Sequence, residues 1–145
     1  MSRGFRLLAI ATLVALVTCR TALAQTPPES VRLFLRGDYA AALPGIRTAA
    51  ERGDAESQFA LGTMYAYGRG VPKDDRLAVF WFQKAADQGE ANAQFALGGM
   101  YKRGRGVPKD DRLAVFWFQK AADQGKADAQ FVLGAMYLFG EGAPK

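Results

Sequence analysis

Apolar and polar positions divide the chain into one short apolar run and a long repeating pattern. From Leu7 to Val17 only Thr12 interrupts the apolar run, with Arg3 and Arg6 before it and Ala22-Leu23-Ala24 after it. A basic start, an apolar stretch of about 7–15 residues and an A-x-A exit describe an export signal, here removed between Ala24 and Gln25. The stretch falls short of the roughly 20 residues that a membrane-spanning helix needs. Beyond it, runs of helix-forming residues alternate with clusters of Gly, Pro and Asp, the punctuation of short helices joined by loops.

These helices repeat. Ala55–Glu90 and Ala91–Lys126 align without gaps over 36 residues and differ at six positions: Glu56/Asn92, Ser57/Ala93, Thr63/Gly99, Ala66/Lys102, Tyr67/Arg103 and Glu90/Lys126. A third copy starts at Ala127 and stops about halfway, at Lys145. Upstream, Ala49–Gly53 matches Ala85–Gly89, so a divergent copy precedes the first full one. Within a copy, a helix over Ala55–Tyr67 ends at Gly68, and Gly70-Val71-Pro72-Lys73 forms a loop. Asp74 or Asp75 caps a second helix that runs to about Gln88. Neither helix buries its apolar face alone, so they pair and the pairs stack. The predicted fold is all-α, an α/α solenoid of stacked antiparallel helix pairs. The expected division is a signal peptide over 1–24, a disordered lead-in over 25–29, a divergent pair over 30–54, full repeats over 55–90 and 91–126, and a truncated repeat over 127–145. In the divergent pair, Val31–Arg36 reads as a short helix, and Pro44-Gly45 predicts a kink or a late start near Leu43.

The run Ala91-Asn92-Ala93-Gln94-Phe95-Ala96-Leu97-Gly98, with Met100-Tyr101, Gly104-Arg105-Gly106-Val107-Pro108-Lys109-Asp110, Ala114, Trp117-Phe118, Lys120-Ala121-Ala122 and Gly125, resembles a Sel1-like repeat. Such repeats are relatives of the tetratricopeptide repeat with a longer inter-helix loop, and the resemblance covers about residues 30–145. It implies a right-handed superhelix that acts as an adaptor or scaffold for other proteins. The landmarks also have a reading of their own. Gly62, Gly98 and Gly134 lie in mid-helix, where Gly costs about 1 kcal/mol relative to Ala, which suggests close helix approach against Trp81, Ala85 and their copies. Trp81 and Trp117, with Tyr65, Tyr101 and Tyr137, are expected in the core.

At 100° per residue, Glu56, Ala60, Thr63 and Tyr67 form one stripe, on or beside which four of the six differences fall. By the resemblance, the first helix of each pair lines a concave surface. Candidate partner-binding residues are therefore Glu56, Thr63, Tyr67, Asn92, Lys102, Arg103, Asp128, Leu138 and Phe139, a mixture suited to an extended peptide or a partner helix. Drift at exposed positions would produce the same variation. Phe80 and Phe116 lie away from the Ala78–Trp81–Phe82–Ala85 arc, either packed between repeats or forming a second apolar contact.

Composition narrows the chemistry. The 145 residues contain no His and one Cys, so zinc sites, Cys–His nucleophiles and disulfide frameworks lack their parts. No metal and no cofactor are expected. Cys19 follows Leu16-Val17-Thr18, but Thr18 stands where a lipidation box carries a small residue, so the membrane is expected to matter only during export. The net charge of +5 loses Arg3, Arg6 and Arg20 with the signal, leaving 16 basic against 14 acidic residues. That balance speaks against a nucleic-acid partner. The loops Arg69–Lys73 and Arg105–Lys109 precede paired acids and read as solvated. The expected function is an exported, non-enzymatic protein- or peptide-binding module. The alternatives are a remnant of a longer array and, through cysteine-rich relatives linked to such chemistry, a cell-wall or β-lactam hydrolase. Self-association through the uncapped last helix is a further expectation.

Overall fold

The computed structural model describes residues 27–142. The expected signal peptide, its cleavage point, Cys19 and Ala143–Lys145 lie outside the described residues. Among the described residues seven helices follow one another: α1 (Glu29–Arg36), α2 (Tyr39–Glu51), α3 (Ala55–Tyr67), α4 (Asp75–Asp87), α5 (Ala91–Arg103), α6 (Asp111–Asp123) and α7 (Ala127–Leu138). There are no strands among the described residues. Each helix packs against its neighbours in the chain, which makes a stacked α/α solenoid.

Helix ends follow from local chemistry. Asp54 and Glu90 accept hydrogen bonds from the Ser57 and Ala93 backbone N–H groups at the starts of α3 and α5. The Asp74 Oδ1 accepts from both Arg76 and Leu77, and Asp110 does the same for Arg112 and Leu113. Asp74 is therefore the cap of α4, and Asp75 is left for another role. The first pair differs from expectation. α1 already begins at Glu29, and α2 runs from Asp38, whose side chain caps it, to Glu51 without a late start. Pro44 sits inside it; Thr48 Oγ1 donates to the Pro44 carbonyl at 2.9 Å. Gly45 brings α2 against α1, since a Cβ there would lie 2.5 Å from the Ser30 Cβ. Tertiary contact thus carries a helix through a residue that disfavours it.

The core is a row of three clusters, one for each step of the stack. Ile46, Leu61 and Met64 centre the first, Phe82, Leu97 and Met100 the second, and Phe118, Leu133 and Met136 the third. Glutamines tie one step to the next. Buried Gln58 donates to the Ala50 carbonyl at 3.0 Å and accepts from Gln88 Nε2 at 2.7 Å, while Gln88 also donates to the Gly53 carbonyl at 2.9 Å. Gln94, Ala86, Gln124 and Gly89 repeat the set one copy later. No buried side-chain polar atom lacks a partner among the described residues.

The mid-helix glycines do mark close approach, but to different side chains from those expected. A Cβ on Gly62 would lie 2.6 Å from Phe82 Cδ1, and one on Gly98 would lie 2.9 Å from Phe118 Cδ1. Trp81 is only partly buried beside the first cluster, whereas Trp117 is buried. Gly134 would meet nothing within 4 Å, and Tyr137 is exposed, because no helix stands beyond α7 among the described residues to pack on them.

Candidate functional site

The first helices of the repeats, α3, α5 and α7, line a cleft of about 550 Å³, together with Phe82 of α4, Phe118 of α6, Arg105 and Lys126. Its floor is aromatic. Phe59 packs on Phe82 with ring centroids 5.8 Å apart, and Phe95 packs on Phe118 at 5.4 Å. Phe131 of α7 also faces the cleft. The four charged residues of the lining are Lys102, Arg103, Arg105 and Lys126.

Among the candidates from sequence, Thr63, Tyr67, Asn92, Lys102 and Arg103 come together in this lining. Glu56 borders a smaller neighbouring pocket against α1, together with Val31, Phe34, Glu90 and Asn92. Asp128, Leu138 and Phe139 lie outside both linings, and Leu138 and Phe139 are 80% and 74% exposed. Phe80 and Phe116 lie outside them as well. Each rests edge-on against the tryptophan next in its own helix, with centroids about 5 Å apart, under Lys84 or Lys120.

Four lining features escaped the criterion of variation between copies. Phe59, Phe95 and Phe131 recur unchanged every 36 residues, so periodicity marks them while variation passes over them. Arg105, expected in a solvated loop, reaches back to the preceding repeat. Its Nη2 lies 2.7 Å from Asp75 Oδ1 and 3.2 Å from the Ala66 carbonyl, and its Nε lies 3.2 Å from Asp75 Oδ2. Lys126 donates to Asn92 Oδ1 at 2.8 Å and stands 5.3 Å from the Phe95 ring centroid. Lys102 pairs with Glu141, whose carboxyl that contact holds below its ordinary range.

The Arg105 hydrogen bond, aided by attraction to Arg105 and Lys73 and opposed by burial, also holds the Asp75 carboxyl below the usual range. A carboxyl whose folded pKa is depressed stabilises the fold above its unfolded pKa of about 3.9, and loses that contribution as pH falls through the folded value. Asp75→Asn is expected to reduce stability at pH 7 by about 1 kcal/mol, as a bidentate, partly exposed pair warrants. The difference from the parent should shrink in urea titrations as pH falls below the unfolded value and through the lowered folded one. A difference that stays constant with pH would mean that the pair contributes nothing electrostatic.

Stacked helix pairs with a side-chain-lined cleft along their first helices define a helical-repeat solenoid. The chain belongs to the Sel1 repeat family, whose model, Sel1 repeat, matches residues 55–90, 91–126 and 127–145. Repeats of this family serve generally as protein–protein interaction modules. The structure is similar to the Sel1 repeat protein from Oxalobacter formigenes, with 35% identity and a TM-score of 0.74 over 78% of this chain and 46% of that one. It is also similar to c5321, a protective antigen present in uropathogenic Escherichia coli strains and displaying an SLR fold, with 36% identity, a TM-score of 0.75, and coverage of 85% of this chain and 28% of that one. Helicobacter pylori cysteine rich protein B matches at 28% identity and a TM-score of 0.57, over 79% of this chain and 80% of that one. The chain thus spans less than half the length of each of the first two. No curated protein matches it in sequence.

Proposed function

We propose that this chain is an exported, non-enzymatic adaptor that holds a segment of another protein in the cleft between α3, α5 and α7. The cleft itself carries the reading. Its volume of about 550 Å³, aromatic floor and polar rim suit the side chains of an extended segment or helix. Tyr67 and Arg103, at equivalent places in successive repeats, both line it and are both exposed, so they offer contacts without supporting the core.

Replacing Tyr67 and Arg103 together by Ala is expected to reduce capture of a partner from a bacterial envelope extract about tenfold or more. The helical circular dichroism signal and melting temperature should stay those of the parent. Unchanged capture would sink the groove assignment.

Export rests on the basic start, the apolar run Leu7–Val17 and Ala22-Leu23-Ala24. Expressed in a bacterial host, the protein is expected in the envelope fraction with Gln25 as its first residue by mass spectrometry. Recovery of only the uncleaved chain in the cytoplasm would reject export.

A further inference from the structure

We infer that the partner segment in the cleft is acidic as well as apolar. It places an aliphatic or aromatic side chain on the Phe95 floor while flanking carboxylates meet Lys102, Arg103 and Lys126. The inference rests on the groove reading above and adds the chemistry of the occupant.

The two full repeats supply the first observation. Of their six differences, five place a residue in the cleft lining: Asn92, Lys102, Arg103 and Lys126 in the second copy, and the pair Thr63/Gly99. Four of the five alter charge, and all four do so in one direction. Glu56 becomes Asn92, Ala66 becomes Lys102, Tyr67 becomes Arg103 and Glu90 becomes Lys126. Drift on an exposed face has no reason to move charge consistently. The lining ends with four cations and no carboxylate. Glu56 and Glu90 border the neighbouring pocket instead, whose lining holds no cation, and Asn92 stands between Glu90 and Lys126, hydrogen-bonded to both. An acidic segment is thus drawn to one end of the groove and repelled from the other, which fixes its place along the solenoid.

Lys126 supplies the second. It stands at the N-cap of α7, where Asp54 and Glu90, its counterparts, accept a backbone N–H from α3 and α5. A lysine offers no acceptor there, and its charge opposes the positive end of the helix. Its ammonium crosses to Asn92 and the Phe95 ring instead. Local helix chemistry asks for an acid at this position; the cleft has a cation. Among the described residues, Lys102 and Arg105 have carboxylate partners in Glu141 and Asp75, Lys126 has the exposed Asp128 at a long 3.9 Å, and Arg103 has none.

The test is selection of a random dodecapeptide library, displayed on phage, against the full chain. Enriched sequences are expected to combine Asp or Glu in excess with at least one Phe, Leu or Trp. Binding of one selected peptide, followed by fluorescence anisotropy, should weaken at least tenfold when its acids become Asn or Gln, and should weaken with added salt. Lys126→Glu and Arg103→Tyr install residues that the first copy already carries at these places, so both proteins fold. Each is expected to weaken the peptide about fivefold or more, while Lys126→Glu raises the melting temperature by supplying the missing cap. Arg112→Glu, an exposed charge reversal outside the cleft, should leave affinity within about twofold. Enrichment of neutral or basic sequences, or equal losses in Lys126→Glu and Arg112→Glu, would overturn the acidic partner and leave the groove standing. Selected peptides that bind the Tyr67→Ala, Arg103→Ala double variant as well as the parent would overturn both.

Discussion

Gly106→Ala is expected to lower the melting temperature by roughly 10 °C, the equivalent of about 3 kcal/mol in a domain of this size. Gly106 has φ +71°, a left-handed conformation that costs a residue with a Cβ about 1–2 kcal/mol. Space is the larger obstacle. The added Cβ would lie 2.2 Å from the Asp75 carbonyl oxygen and 2.5 Å from its carbon, and both are backbone atoms that no rotamer change removes. Relief requires the loop after α5 to lift off the first turn of α4, which would also strain the Arg105–Asp75 pair. The contact is a joint built into each step: Gly70 meets the Tyr39 backbone and Gly142 the Asp111 carbonyl. Thermal unfolding followed by circular dichroism decides the matter. A melting temperature within about 2 °C of the parent would reject the joint as described.

Opposite signs are expected from one substitution made at equivalent places. Ala at Gly62 gains about 1 kcal/mol of helix propensity but drives its methyl into the buried Phe82 ring, 2.6 Å away, for a net loss of about 1–2 kcal/mol. Ala at Gly134 meets nothing within 4 Å, so the propensity gain of about 1 kcal/mol stands alone. Urea unfolding of the two variants beside the parent measures both. The same sign at both positions would show that helix propensity, not the aromatic contact, governs these glycines.

The architecture was legible because the repeat carries its own punctuation. Ala55–Tyr67 is the helix that Gly68 and the Gly-Val-Pro loop announce, and the pairing follows from helices too short to bury a face alone. What sequence missed has physical causes. The aromatic that fills the glycine notch is Phe82, and a wheel alone does not separate it from Trp81, its neighbour in the chain. Pro44 signals a break, but the contact of Gly45 with α1 holds the helix through it. Tyr137, Leu138 and Phe139 copy positions that are covered or line the cleft one repeat earlier, yet a wall made by the next helix cannot be inferred from the residues it would cover. Lys126 stood among the six differences but off the stripe, because a helix cap reaches the cleft from outside the helical period.

The glutamine pairs have a consequence for how such an array changes length. Gln88 must meet Gln58 and the Gly53 carbonyl together, and Gln124 must meet Gln94 and Gly89 in the same way. A unit shifted by a single residue would rotate Gln88 or Gln124 away and leave the buried Gln58 or Gln94 side-chain oxygen without its donor, a loss of about 1–3 kcal/mol each. Insertion or deletion of a whole 36-residue unit would leave every such pair in phase. Gly68–Gly89 and Gly104–Gly125 are identical, which offers matched ends for exchange between copies. The solenoid is thereby ratcheted: it tolerates growth or shrinkage in full steps and resists every fraction of one.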